Sequence, residues 1–297
     1  MGKGLNENLA FWRHLSNVQK PAHLFHYTSA EGLIGIVTSG CFWLSDSNYL
    51  NDTQELKEFA DYIENVIFNM AVNEGNSLTL KCEDERRYLQ ELGKHARSAW
   101  PGIFIASFTE ERDLLSQWRA YCRANAGYSI GVPTETLYRS ARAREFWLVP
   151  CVYDHREKFI AAREVVEFFL NQLREGKCGV EPSEEIVQSF RLTVTRYGAV
   201  FKHRAFSEEK EWRIISSPMW CRPGVKFRAG VNSVIPYVEL SFKNELMQDD
   251  DISKHLIAVV GPTIDYGSAA QSCQWLVQEN FPNRCAFSRS EAPYRAI

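Results

Sequence analysis

The sequence predicts an α+β protein: a split antiparallel or mixed β-sheet core carrying helical insertions. Three observations carry this. Strand-like stretches come without a steady strand–helix–strand rhythm, which argues against a doubly wound parallel sheet. Four long amphipathic stretches, near residues 53–71, 82–100, 156–173 and 182–197, have helical periodicity. The chain has 297 residues, 45% of them apolar and 24% charged, the balance of an ordinary globular protein.

The elements follow in order. A polar-faced helix is predicted over Leu5 to Val18 and a short strand over Ala22 to Tyr27. Ser29 suits the N-cap of a helix through Val37, with Leu33, Ile34, Ile36 and Val37 apolar and Gly40 as its stop. Strands follow at Cys41–Leu44 and Gly102–Phe108, on either side of the first two long helices. Asp113 to Arg123 is helical, and Gly127 to Val132 is a strand ended by Pro133. Phe146 to Tyr153 is a strand that leads into the second pair of long helices. Strands are then expected at 210–216, 225–228, 234–240, 256–261 and 285–288, with a helix at 268–280.

Composition excludes several classes. Thirty-four Lys and Arg against 37 Asp and Glu give a net charge of −3, which excludes a generally basic nucleic-acid coat but leaves room for a local basic face. An arginine strip, Arg139, Arg142 and Arg144, is either such a face or an ordinary solvated helix side. The longest apolar runs are too short to span a bilayer. Eight scattered cysteines with no C-x-x-C pair read as thiols in a reducing compartment, so a cytoplasmic protein is expected. No phosphate-binding glycine loop, dinucleotide fingerprint or metal-binding motif occurs, and no metal is expected. Gly127-Tyr128-Ser129-Ile130-Gly131 fits the G-x-S-x-G pattern of hydrolases. That pattern needs a strand before the serine and a helix directly after it, whereas here the motif is itself the strand.

Three islands concentrate chemistry-bearing residues. The first is His26-Tyr27-Thr28-Ser29, followed by the capped helix and Gly40-Cys41-Phe42-Trp43-Leu44. The second runs from Ser107-Phe108 through Ser116-Gln117-Trp118-Arg119-Ala120-Tyr121 to Gly127–Val132. Trp118 and Tyr121 are three apart, either a packing stripe or a stacking wall for a flat ring. The third is Glu208-Glu209-Lys210-Glu211-Trp212-Arg213-Ile214-Ile215, a charged turn that feeds a strand. Asn51, Asp52 and Glu55 form a further cluster, either a helix cap with a first-turn acid or the rim of a site.

Together the islands resemble the His–Tyr–Glu branch of the ADP-ribosyltransferase superfamily, which includes the poly(ADP-ribose) polymerases, DarT-type DNA ADP-ribosyltransferases and RNA 2′-phosphotransferases. The whole chain more specifically resembles a bacterial domain-of-unknown-function family, number 2971. That likeness rests on His26-Tyr27-Thr28-Ser29, Leu50-Asn51-Asp52…Glu55, Ser107-Phe108, Trp118…Tyr121, Glu209-Lys210-Glu211-Trp212-Arg213, Val260-Gly261-Pro262 and Pro293-Tyr294-Arg295. The resemblance implies one transferase-like domain over residues 1–297, with 53–100 as a helical insertion. It implies NAD as substrate, and a toxin or phage-defence effector as the setting. It casts Glu211 as the carboxylate that holds the nicotinamide ribose, stabilises an oxocarbenium-like transition state and accepts a proton from the acceptor. Tyr121 would stack on nicotinamide with Trp118 as a second wall, and His26 would hold the adenosine ribose. Tyr27, Thr28 and Ser29 would add contacts. Arg119 and Arg213 are candidate pyrophosphate partners, and Glu209 is a second acid beside the site. The implied partners are NAD, a macromolecular acceptor (protein or nucleic acid) and a neutralising protein, with no membrane. The alternatives are a catalytically silent nucleotide-sensing or nucleic-acid-binding module, and an interaction protein whose aromatic residues are all core.

Overall fold

The computed structural model describes residues 9–49, 53–72, 80–98, 102–121, 127–217, 224–230, 233–248, 251 and 255–292. Asn51, Asp52 and the segment 293–295 lie outside these residues. Glu55 falls within a helix, but its side chain is outside the description.

Helix α1 (Ala10–Ser16) precedes β1 (His23–Ser29), α2 (Ala30–Ser39) and β2 (Cys41–Asp46). Ser29 Oγ accepts from Gly32 N, as a cap should, and Gly40 ends α2 in the left-handed region at φ 63°. Next come α3 (Thr53–Val72), α4 (Glu83–Gly93), β3 (Phe104–Thr109), α5 (Leu115–Tyr121), β4 (Gly127–Pro133), α6 (Thr134–Ala143) and β5 (Trp147–Pro150). Then α7 (His155–Arg174), α8 (Glu184–Gly198), β6 (Glu211–Ile215), β7 (Lys226–Ala229) and β8 (Val234–Ser241) follow. The order closes with α9 (Lys243–Met247), β9 (Leu256–Val260), α10 (Tyr266–Asn280) and β10 (Cys285–Arg289). The α+β class holds. The short α9 has no counterpart in the sequence reading, and α4 stops at Gly93, short of the expected residue 100.

All ten strands join one mixed sheet in the order β10-β9-β4-β1-β3-β2-β8-β7, with β6 on β3 and β5 on β6. Among the described strands β9 and β10 pair in parallel and the other pairs are antiparallel. Strand β3 has three partners. A strand offers two hydrogen-bonding edges. β6 occupies one of them along Ile105–Thr109, so β1 and β2 share the other. β1 touches β3 through Phe25↔Thr109, and β2 through Ser45↔Ile105 and Asp46↔Phe104. Beyond those points β1 runs off with β4, and β2 runs off with β8. The sheet therefore forks along one edge of β3.

Alternation sorts the side chains onto two faces. Phe42, Leu44, Phe104, Ala106, Phe108, Trp212 and Ile214 share one face and belong to a core that also holds residues of α2, α6, α9 and α10. The opposite face of β3, β5 and β6 contributes Ile105, Val149 and Ile215 to a second core, built by α1, α3, α4, α7 and α8. The helical layer therefore reaches well beyond residues 53–100. A third, small core sets Trp118 of α5 against Phe25, Tyr27 and Val259.

Candidate functional site

The fork is wedged by His26. Its Nδ1 lies 2.9 Å from Ser107 O, a carbonyl between the points where β1 and β2 join β3. A carbonyl acceptor fixes the tautomer, with the proton on Nδ1. The ring packs against Phe42 and Phe108, centroids 5.4 and 5.7 Å away, so aromatic rings close one side of the fork. Burial lowers the His26 pKa, partly offset by the bond to Ser107. On the other side Ser107 is half-buried, while every other residue of β3 is buried. The fork opens there.

Glu211 leaves the same face as Ser107 but is buried there. It pairs with Thr109, and Arg213 with Ser107, so all four side chains leave the same face. His26 leaves the opposite face, that of Phe108. The resemblance gives these two side chains the two riboses of one NAD to hold. Register separates them, because Glu211 follows Thr109 and His26 packs on the neighbouring Phe108.

Glu211 opens β6 and is only 5% exposed. Arg213 Nε donates to its Oε1 at 2.7 Å, and Lys202 Nζ donates to its Oε2. Lys202 also donates to Glu209 Oε2 at 2.6 Å, and Arg213 Nη1 to Ala199 O at 2.8 Å. The Glu211 N–H donates to the Tyr153 hydroxyl at 2.8 Å. Burial alone would raise the Glu211 pKa. The charges of Arg213 and Lys202 outweigh it and bring the carboxyl down to about 2. Burial likewise disfavours the Lys202 ammonium, and the Glu211 charge reverses that and raises its pKa. The product is a carboxylate kept ionised in a nearly dry site. It can accept hydrogen bonds and stabilise positive charge, but it takes up no proton near neutrality.

The other candidates sort by burial. Arg213 is 5% exposed and engaged with Glu211 and the Ala199 carbonyl, so it braces the carboxylate and is not presented to a pyrophosphate. Glu209 ends a 3₁₀ turn, Arg204–Glu209, and Lys210 follows in the left-handed region at φ 40°. Glu209 is thus not on the strand, yet it meets Glu211 through their shared Lys202. Trp118 is fully buried, donating from Nε1 to Asp113 Oδ1 at 2.6 Å. Its ring also leaves no room for a side chain at Gly261, whose added Cβ would lie 2.8 Å away. It packs edge-on to Tyr27, centroids 4.5 Å apart, so it is core and not a stacking wall. Tyr121, 51% exposed, and the exposed Arg119 lie on the outer side of α5. Tyr27 Oη donates to Glu111 O at 2.9 Å and accepts from Leu114 N at 2.7 Å, which ties β1 to the loop before α5. Ser29 is occupied as the α2 cap, and the Thr28 hydroxyl sits where a Gly32 side chain would stand.

Lys202, Tyr153 and Thr109 were not singled out by the sequence. The available signal was Glu211 itself: an acid opening the buried strand Glu-Trp-Arg-Ile-Ile requires cations nearby. Ser129 of the G-x-S-x-G match is fully buried within β4, which removes it as a nucleophile. Among the described residues no cluster of three His, Cys, Asp or Glu could hold a metal, and no helix is long and apolar enough to cross a membrane.

No curated protein and no solved structure matches the chain. Residues 117–214, from α5 through the Lys202–Glu211–Arg213 cluster, match the model of the family described as protein of unknown function (DUF2971), the family that the sequence motifs resemble.

Proposed function

We propose that the chain binds NAD at the open side of the fork and releases nicotinamide, passing the ADP-ribosyl unit to a macromolecule or to water. The observation behind this is Glu211, a carboxylate ionised near neutrality one strand from the fork, braced by Lys202 and Arg213. Loss of nicotinamide leaves positive charge at the anomeric carbon, and a fixed anion in a low-dielectric site stabilises that charge. The same carboxylate can accept a hydrogen bond from the ribose 2′-hydroxyl. Nicotinamide leaves as the neutral base with the electron pair of the broken glycosidic bond, the acceptor oxygen or water forms the new bond to the anomeric carbon, and the acceptor's proton is released to solvent.

One observation favours a second reading, a silent nucleotide-binding module. Both Glu211 oxygens already carry a cationic donor, and little of the side chain reaches solvent. Adenine-labelled NAD incubated with the protein and a bacterial lysate separates the two. Nicotinamide release that Glu211→Gln abolishes supports the transferase, and the labelled fraction identifies the acceptor class. NAD binding without release supports the silent module, and neither binding nor release overturns both.

A further inference from the structure

The open face continues from the fork onto β2, β8 and β7. Phe42, Leu44, Val238 and Leu240 point to the covered side, so Trp43, Ser45, Tyr237 and Glu239 point to the other. Register adds Lys226, opposite Tyr237, and Arg228, opposite Ile235. Trp43 and Tyr237 lie 4.5 Å apart between centroids, their planes 32° from parallel, and Trp43 is 44% exposed. Arg228 Nη2 donates to Ser45 Oγ at 2.9 Å, and its Nε is buried without an acceptor among the described residues. Lys226 is paired with Glu239 at 2.7 Å. Among these described residues, Lys226 and Arg228 stand against one carboxylate, Glu239.

We infer that the Trp43–Tyr237 platform and Arg228 hold an adenine nucleotide, the base stacked on Trp43 and its phosphate at Arg228. An exposed aromatic face stacks any flat base. Guanidinium suits phosphate, and the bond of Arg228 to Ser45 uses one of its five N–H donors. The site rests on the NAD reading and extends it. The platform stands two to three strands from β6 in the sheet order, so strand spacing alone puts roughly 10 Å or more between it and Glu211. The two halves of a dinucleotide can bridge such a distance, with the nicotinamide ribose at Glu211 and adenine on Trp43.

The test is calorimetric titration of AMP and of ADP-ribose into the full chain, the Trp43→Ala variant and the Arg228→Gln variant, with melting temperatures alongside. Both ligands should bind the parent protein. Each substitution should weaken both about tenfold or more, with folding intact. Arg228→Gln keeps the test decisive should Trp43→Ala fold poorly. Unchanged affinity in the folded variants, or no AMP binding by the parent chain, overturns the platform. Nicotinamide release is scored separately. Release with unchanged AMP affinity removes the platform and leaves the transferase standing. Trp43-dependent AMP binding without release does the reverse.

Discussion

At the residue scale, the Lys202–Glu211–Arg213 cluster makes Glu211 both a candidate reactive group and a structural keystone. Glu211→Gln removes the carboxylate but leaves two cations in a site where Glu211 is 5% exposed. Breaking a buried pair from one side costs about 3–5 kcal/mol, and Glu209, still bonded to Lys202, holds the loss toward the lower figure. The pH dependence has a definite sign. The folded pKa of Glu211 lies at about 2, below the ordinary 4.5. Its contribution is therefore complete above pH 4.5 and drains away as pH falls toward 2. Urea midpoints across pH 3 to 7 should show the wild type well above Glu211→Gln at neutrality, with the gap closing below pH 4.5. A gap that stays constant would show that the carboxylate is not held by these cations. This stability effect also sets a condition for the activity assay: lost nicotinamide release counts as chemistry only where the variant is folded.

At the element scale, the fork depends on His26 taking the place of a strand partner for the Ser107 carbonyl. His26→Leu fills similar space but donates nothing, so a part-buried carbonyl loses its partner, at about 1 kcal/mol. The lowered folded pKa means the native ring stays neutral where the unfolded one, at 6.5, is protonated. Its contribution is present above pH 6.5 and lost as pH falls below it. The stability difference between wild type and His26→Leu should shrink from pH 7 to pH 5. A difference that grows instead would refute the wedge. The fork also shows what was legible in the sequence. The Ser29 cap, the Gly40 stop, β4 and three of the long helices are written in local spacing and form, while the helix expected over 82–100 ends at Gly93. His26 and Glu211 stand out locally as polar groups in apolar strands. Their placement on opposite faces follows from the Phe108↔Trp212 and Thr109↔Glu211 register, which no local pattern encodes. Lys202 reaches Glu211 only because a 3₁₀ turn and the left-handed Lys210 fold the chain back. Trp118 and Tyr121 share helical spacing, yet the packing of α5 on β1 buries one and exposes the other.

At the scale of the whole molecule, the family match and the folding unit are different things. Residues 117–214 contain β4, β5 and nearly all of β6, but among these only β5 and β6 pair with each other. Both neighbours of β4, the strands β1 and β9, lie outside the segment, and so does β3, the other partner of β6. Helices α7 and α8 are inside it, yet their core is completed by α1, α3 and α4. Cutting the segment out would expose both edges of β4, one edge of β6 and the apolar sides of two long helices. Unpaired edges and uncovered apolar faces favour aggregation over folding. A fragment of residues 117–214 should therefore show no cooperative thermal transition and poorly dispersed amide resonances, while the full chain melts cooperatively. The Lys202–Glu211–Arg213 cluster should be lost with it: although its charged residues are local to the segment, the strand that carries Glu211 and Arg213 is held in place by β3. A fragment that folded cooperatively would mean that β5, β6, α7 and α8 form an autonomous unit, with the forked sheet assembled around it.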